Sequence, residues 1–82
     1  MLLIEDDEQI RIALSLALED DGFSVATAPD GESGLNAVIE STPDVVLLDL
    51  RLPDISGFEV CRRIRARSAL PIIMVTAQTD SH

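Results

Sequence analysis

Apolar positions along this chain follow two rhythms. At residues 2–4 ("LLI"), within 44–48 ("DVVLL") and from Pro71 into "IIMVTA" the apolar residues run without a break. Short, β-branched-rich runs of that kind suit strands covered on both faces of a sheet. Between them the apolar residues recur three and four apart, the spacing of a helix that buries one stripe. The first such segment runs from Glu8 to Asp20 and carries Ile10, Ala13, Leu14, Ala17 and Leu18, with Gly22 placed to stop it. The second follows the turn "PDG" at 29–31, where Asp30 is a good N-cap, and carries Leu35, Val38 and Ile39. The third spans 57–66, with Val60, Cys61 and Ile64 inward. "FSVAT" at 23–27 has strand character between the first two helices. The predicted order is βαβαβαβ, an α/β domain with a parallel sheet and helices on both faces.

In an open sheet of this class ligands gather at the carboxyl ends of the strands. Glu5, Asp6 and Asp7 follow the first strand, Asp49 ends the third, and Thr76 ends the fourth. Carboxylates brought that close raise one another's pKa unless a cation sits among them, and hard oxygen donors suit Mg²⁺ (or Mn²⁺). A carboxylate such as Asp49, fixed on a rigid strand end beside a cation, is placed to act as a nucleophile. A simpler role competes for the acidic triplet, because acids are favoured in the first turn of a helix and could cap the one that follows.

Composition narrows the classes. Eighty-two residues, 46% hydrophobic and 26% charged, suffice for one small domain. No apolar run is long enough to span a bilayer and no signal peptide opens the chain, so it reads as cytoplasmic with no membrane partner. A single cysteine, Cys61, cannot form an internal disulfide and reads as a small core residue. The net charge of −9 repels nucleic acid and favours cations or basic partners. All the bases are arginines, and Arg62, Arg63, Arg65 and Arg67 read as a solvated helix face. A nucleotide binder would need backbone amides in its first loop, where "EDDE" repels an anion. A phosphatase with an aspartate nucleophile would need a second acid two residues on, where this chain has Arg51.

The motifs "LLIEDD", "VVLLDLRLPDISG" and "IIMVTA", in this order and at these separations, resemble the receiver domain of two-component response regulators across essentially the whole chain. The resemblance implies a flavodoxin-like doubly wound parallel sheet of order 2-1-3-4, lacking the family's usual fourth helix, fifth strand and fifth helix, so that residues 1–82 are the N-terminal portion of the domain. It implies that Asp49 is the phosphoacceptor and takes a phosphoryl group from a sensor histidine kinase with Mg²⁺ present. Asp6 would ligate the metal directly, Glu5 through water, and Asp49 and the backbone carbonyl of Arg51 would complete the protein ligands. Thr76 would supply the hydroxyl that binds a phosphoryl oxygen. Such a domain is a phosphoacceptor that can catalyse its own phosphorylation and dephosphorylation, not an enzyme acting on another substrate. DNA would be reached only through an output domain absent from this sequence, in a parent that regulates transcription. The family also uses a lysine after its fifth strand, and this chain has no lysine. That gap supports a rival of another class, a receiver-like interaction module that keeps the fold without switching. With no fifth strand the fourth is expected to be an open apolar edge, prone to self-association or strand exchange.

Overall fold

The computed structural model describes residues 1–75. Its elements are β1 (Leu2–Ile4), α1 (Glu8–Asp20), β2 (Ala26–Ala28), α2 (Gly31–Ser41), β3 (Val46–Asp49), α3 (Gly57–Arg65) and β4 (Ile72–Val75). The four strands form one parallel sheet, as the pattern of elements predicts, in the order β2-β1-β3-β4 that the family resemblance implies. Register aligns Leu2, Val46 and Ile72 in one row and Ile4, Leu48 and Met74 in another. Both rows lie on one face, because side chains alternate along each strand. Against that face α2 and α3 pack Val38, Val60 and Ile64, closing a core in which Ile4, Val46, Leu48 and Val60 are fully buried. Glycine permits the close approach of α2: a Cβ on Gly34 would collide with the Ile4 side chain.

The opposite face is covered unevenly. Helix α1 lies against β1 and β2, so Leu3 is buried, while Ile73 is 53% and Val75 is 37% exposed. Among the described residues the fourth strand is covered on the α2/α3 side alone. None of the α1 residues is buried, and Ala13 and Ala17 of its predicted inward stripe are exposed. One helix beside two short strands cannot enclose its own apolar side. Ile39 also departs from expectation, being 53% exposed at the edge of α2, whereas Val38 is buried. Cys61 is half-buried and packs against the core from α3, in keeping with a small apolar role. The second strand begins three residues later than its apolar pattern suggests, since Phe23 at the α1–β2 turn is half-exposed.

Local chemistry sets the ends of the elements. The carboxylates of Asp7 and Asp30 cap α1 and α2 by accepting from Ile10 N–H at 3.1 Å and Ser33 N–H at 2.8 Å. Gly22 adopts φ +98° just past α1, as its place in the sequence predicts. Asp54, from the β3–α3 loop, accepts from the N–H groups of Gly31 and Glu32 at the start of α2, each at 2.9 Å. Among the described residues none of the helices is long and apolar enough to cross a membrane.

Helix α2 ends on Thr42 at φ 45°, a left-handed conformation that a β-branched residue adopts only with strain. Thr42→Gly relieves it and should stabilise the domain by about 0.5–1 kcal/mol, read as an increased urea midpoint at unchanged slope. An unchanged or lower midpoint would show that no strain is held there.

Candidate functional site: an acidic pocket at the strand ends

Glu5 follows β1 and Asp49 closes β3, and the Ile4–Leu48 register between those neighbouring strands sets the two acids side by side. Both are buried, at 4% and 5% exposure, and Asp6 stands exposed beside them. One carboxylate oxygen from each of the three lies within 4.8 Å of the others. The acidic triplet after β1 has thus divided its work. Asp7 is the helix cap, while Glu5 and Asp6 turn to Asp49, so both roles open to the triplet in the sequence are present and fall to different residues.

Hydrogen bonds fix the two buried acids. Glu5 Oε2 accepts from Asp7 N–H at 3.1 Å, and Asp49 Oδ1 accepts from Arg51 N–H at 3.2 Å. The second bond folds the chain after β3 back on the strand end and puts Arg51, the expected carbonyl ligand, in the loop beside the pocket. A Cβ on Gly57 would strike the Asp49 carbonyl oxygen, so glycine is what lets α3 start this close to the site. Arg11 is the cation that sequence reasoning passed over. Its Nη1 donates to the backbone carbonyls of Glu5 at 2.9 Å and Asp6 at 3.4 Å, bracing the loop from α1 and leaving the carboxylate charges uncompensated. Its signal in the sequence was faint, an arginine one turn into a helix after an acidic loop. Thr76, assigned the phosphoryl-binding hydroxyl, lies outside the described residues.

Burial pushes the Glu5 carboxyl from an ordinary 4.5 up to about 7; the hydrogen bond from Asp7 N–H pulls the other way, and the Asp49 charge adds to the rise. The pocket therefore favours positive charge. Its donors are all carboxylate oxygens, two of them on rigid strand ends, a set suited to a hard divalent cation such as Mg²⁺ or Mn²⁺ and ill suited to softer metals.

The fold and this pocket define a parallel α/β module with an acidic site at the carboxyl ends of its strands, and comparison with known proteins places it. The chain belongs to the response regulator receiver domain family, whose model matches residues 1–82. It is 56% identical over 80 residues, 98% of its length, to the transcriptional regulatory protein AfsQ1 of Streptomyces coelicolor, and 51% identical over 81 residues to CseB of Streptomyces avermitilis. It spans about a third of those relatives, 36% and 34% of their lengths. Among solved structures it matches the response regulator protein TrrA of Thermotoga maritima, in complex with Mg(2+)-BeF, with a TM-score of 0.90 and 35% identity, over 95% of this chain and 69% of that one. The flavodoxin-like fold expected from the sequence is thereby shown.

The raised pKa of Glu5 gives a pH signature in metal-free protein. The folded state keeps the Glu5 proton up to about pH 7, whereas an unfolded chain releases it near 4.5. Between those values the folded state binds more protons, so this contribution to stability is full below 4.5 and is lost as pH rises through 7. Glu5→Gln should remove that decline, leaving the variant more stable than the parent at pH 8 by urea titration in chelator. Parallel pH profiles for the two proteins would refute the assignment.

Proposed function

We propose that this chain is the phosphoacceptor module of a two-component response regulator, with Asp49 as the residue that carries the phosphoryl group. The observation that carries the reading is a buried aspartate on a strand end, within 4.8 Å of two further acids, with none of the three in an ion pair among the described residues. Glu5, Asp6, Asp49 and the backbone carbonyl of Arg51 would hold Mg²⁺ or Mn²⁺. That ion would neutralise the charge that gathers on the phosphoryl oxygens. An Asp49 carboxylate oxygen forms the bond to phosphorus as the phosphorus–nitrogen bond of the kinase's phosphohistidine breaks, and the imidazole nitrogen leaves. The hydrogen bond from Arg51 N–H orients the carboxylate for that attack. Thr76, next along from β4, would donate its hydroxyl to a phosphoryl oxygen. Attack of water on the phosphorus would break its bond to the Asp49 oxygen, release inorganic phosphate and restore the carboxylate, the module catalysing both steps on itself.

In this reading the partner that loads the module is a sensor histidine kinase, the setting is cytoplasmic, and the outcome is control of transcription through an output domain; the printed names of the relatives, transcriptional regulatory proteins, support the last of these. Residues 1–82 would be the N-terminal portion of the receiver. A second reading is an interaction module of the same fold that does not take phosphate.

Two measurements decide between them. Millimolar Mg²⁺ should raise the melting temperature by linkage, and Asp6→Asn should shrink the rise; no shift, or an undiminished one, removes the metal site. A small phosphodonor with Mg²⁺ should add one phosphoryl group to the full-length protein, detected as intact mass, and Asp49→Asn should abolish it. An unmodified parent protein would favour the interaction module.

Self-association is part of the same proposal. Among the described residues β4 pairs with β3 alone and leaves Ile73 and Val75 exposed on one face, so a second copy could add at its other edge. Light scattering on residues 1–82 at micromolar concentration should show a dimer or larger species. A single sharp monomer with cooperative unfolding would rule that out.

A further inference from the structure

We infer that Asp54 is a positioning residue for the acidic pocket: its carboxylate straps the loop that leaves Asp49 onto the N-terminus of α2, and so holds that loop in the shape that presents residue 51 to the site. The inference rests on the metal-binding reading above for its functional consequence, but the strap itself is a matter of geometry.

Helix α2 begins with amide donors that need acceptors. Its own cap, Asp30, takes Ser33 N–H at 2.8 Å with its carboxylate and Gly34 N–H at 3.1 Å with its carbonyl. The two outermost donors, on Gly31 and Glu32, are left over. Asp54 takes them with its two oxygens, Oδ1 to Gly31 and Oδ2 to Glu32, each at 2.9 Å and from 22 or more residues away in sequence. The same Oδ1 accepts from Ile55 N–H at 2.9 Å, which locks the side chain to its own loop. These bonds hold the Asp54 carboxyl below its ordinary pKa, those from Gly31 and Glu32 foremost, so the strap is charged at neutral pH.

A second, apolar contact secures the same junction. Ile55 packs onto the first turn of α2 at Gly31, where a Cβ would overlap its side chain. The loop between β3 and α3 is thereby pinned at both ends and in the middle. Arg51 N–H bonds to Asp49 at 3.2 Å, Gly57 N–H bonds to the Leu50 carbonyl at 2.9 Å, and Asp54 and Ile55 dock the centre. Loops hold site groups less well than strands do, and a tether of this kind supplies what the backbone lacks. Releasing it frees residues 51–55 without touching a carboxylate of the pocket.

The test separates a strap from an ordinary helix cap. In the full chain, Asp54→Ala and Asp30→Ala each remove one carboxylate from the same helix terminus, but only the first unties the loop. Mg²⁺ titration should show a dissociation constant raised about 3- to 10-fold by Asp54→Ala and changed less than about twofold by Asp30→Ala. Asp54→Asn, which keeps one acceptor oxygen, should recover part of the loss. Hydrogen exchange should show faster exchange at the Arg51 and Gly57 amides in Asp54→Ala than in Asp30→Ala. Equal effects of the two alanine variants on both readouts, or none at Arg51 and Gly57, would overturn the strap and leave Asp54 as a cap. If the parent protein binds no Mg²⁺, the metal reading fails by itself, and the exchange at Arg51 and Gly57 still decides whether the strap exists.

Discussion

Parallel pairing of β1 with β3 is the constraint on which the rest of the molecule depends. It sets Ile4 beside Leu48, and one residue further along, at the end of the apolar ladder, it sets Glu5 beside Asp49. The pairing buries both acids almost completely, so two like charges meet where water cannot screen them. Glu5 answers by holding its proton to about pH 7. A hydrophobic strand ending in an acid is therefore more than a scaffold with a polar tip, because the apolar flanks strip water from the carboxylate and create the demand for a cation. Leu3, which shares the Glu5 face by strand alternation, is itself buried and belongs to those flanks.

Around that pairing, the connecting loops are shaped by carboxylates acting on backbone amides. Asp7, Asp30, Asp49 and Asp54 all accept N–H donors, at a helix start or within a turn. A chain with fifteen acids against six bases thus spends several of its charges locally, where helix dipoles and turn amides receive them. Glu59, on α3, is similarly occupied by Arg62 and Arg63, whose hydrogen bonds hold its carboxyl down to about 2. Glu5 and Asp49 each receive one backbone donor as well, but burial outweighs it at Glu5. Burial, more than the number of acids, separates the site from the rest of the acidic surface.

The order of elements and the strand-end acids were legible in the sequence because each rests on a short-range signal. Three unbroken apolar runs mark β1, β3 and β4, and Asp30 and Gly22 mark helix ends by chemistry confined to a few residues. The strand order and the roles within the pocket came from family resemblance, since no local signal says which strand lies beside which. Other features could not be read because they depend on what lies opposite. Ala13 and Ala17 have the right period for an inward stripe, yet they are exposed, because period reports a face and not whether that face is covered. The same reason separates Val38, buried, from its neighbour Ile39, half-exposed. Asp54 stands in the loop of "VVLLDLRLPDISG" with nothing local to name its partners, because Gly31 and Glu32 lie more than twenty residues upstream. The onset of β2 was missed for a milder cause: Phe23 is a strand-favouring residue placed in a turn.

The two faces of the sheet differ in how firmly they are held, and the site lies where they meet. On one, α2 and α3 close over Ile4, Val46 and Leu48; on the other, α1 shelters Leu3 but leaves Ile73 and Val75 open. By strand alternation Asp49 belongs to the same side as Leu47, and in register its partner on β4 is Val75. Asp49 therefore has a fully packed neighbour in β1 and, among the described residues, a neighbour in β4 that is covered on one face alone.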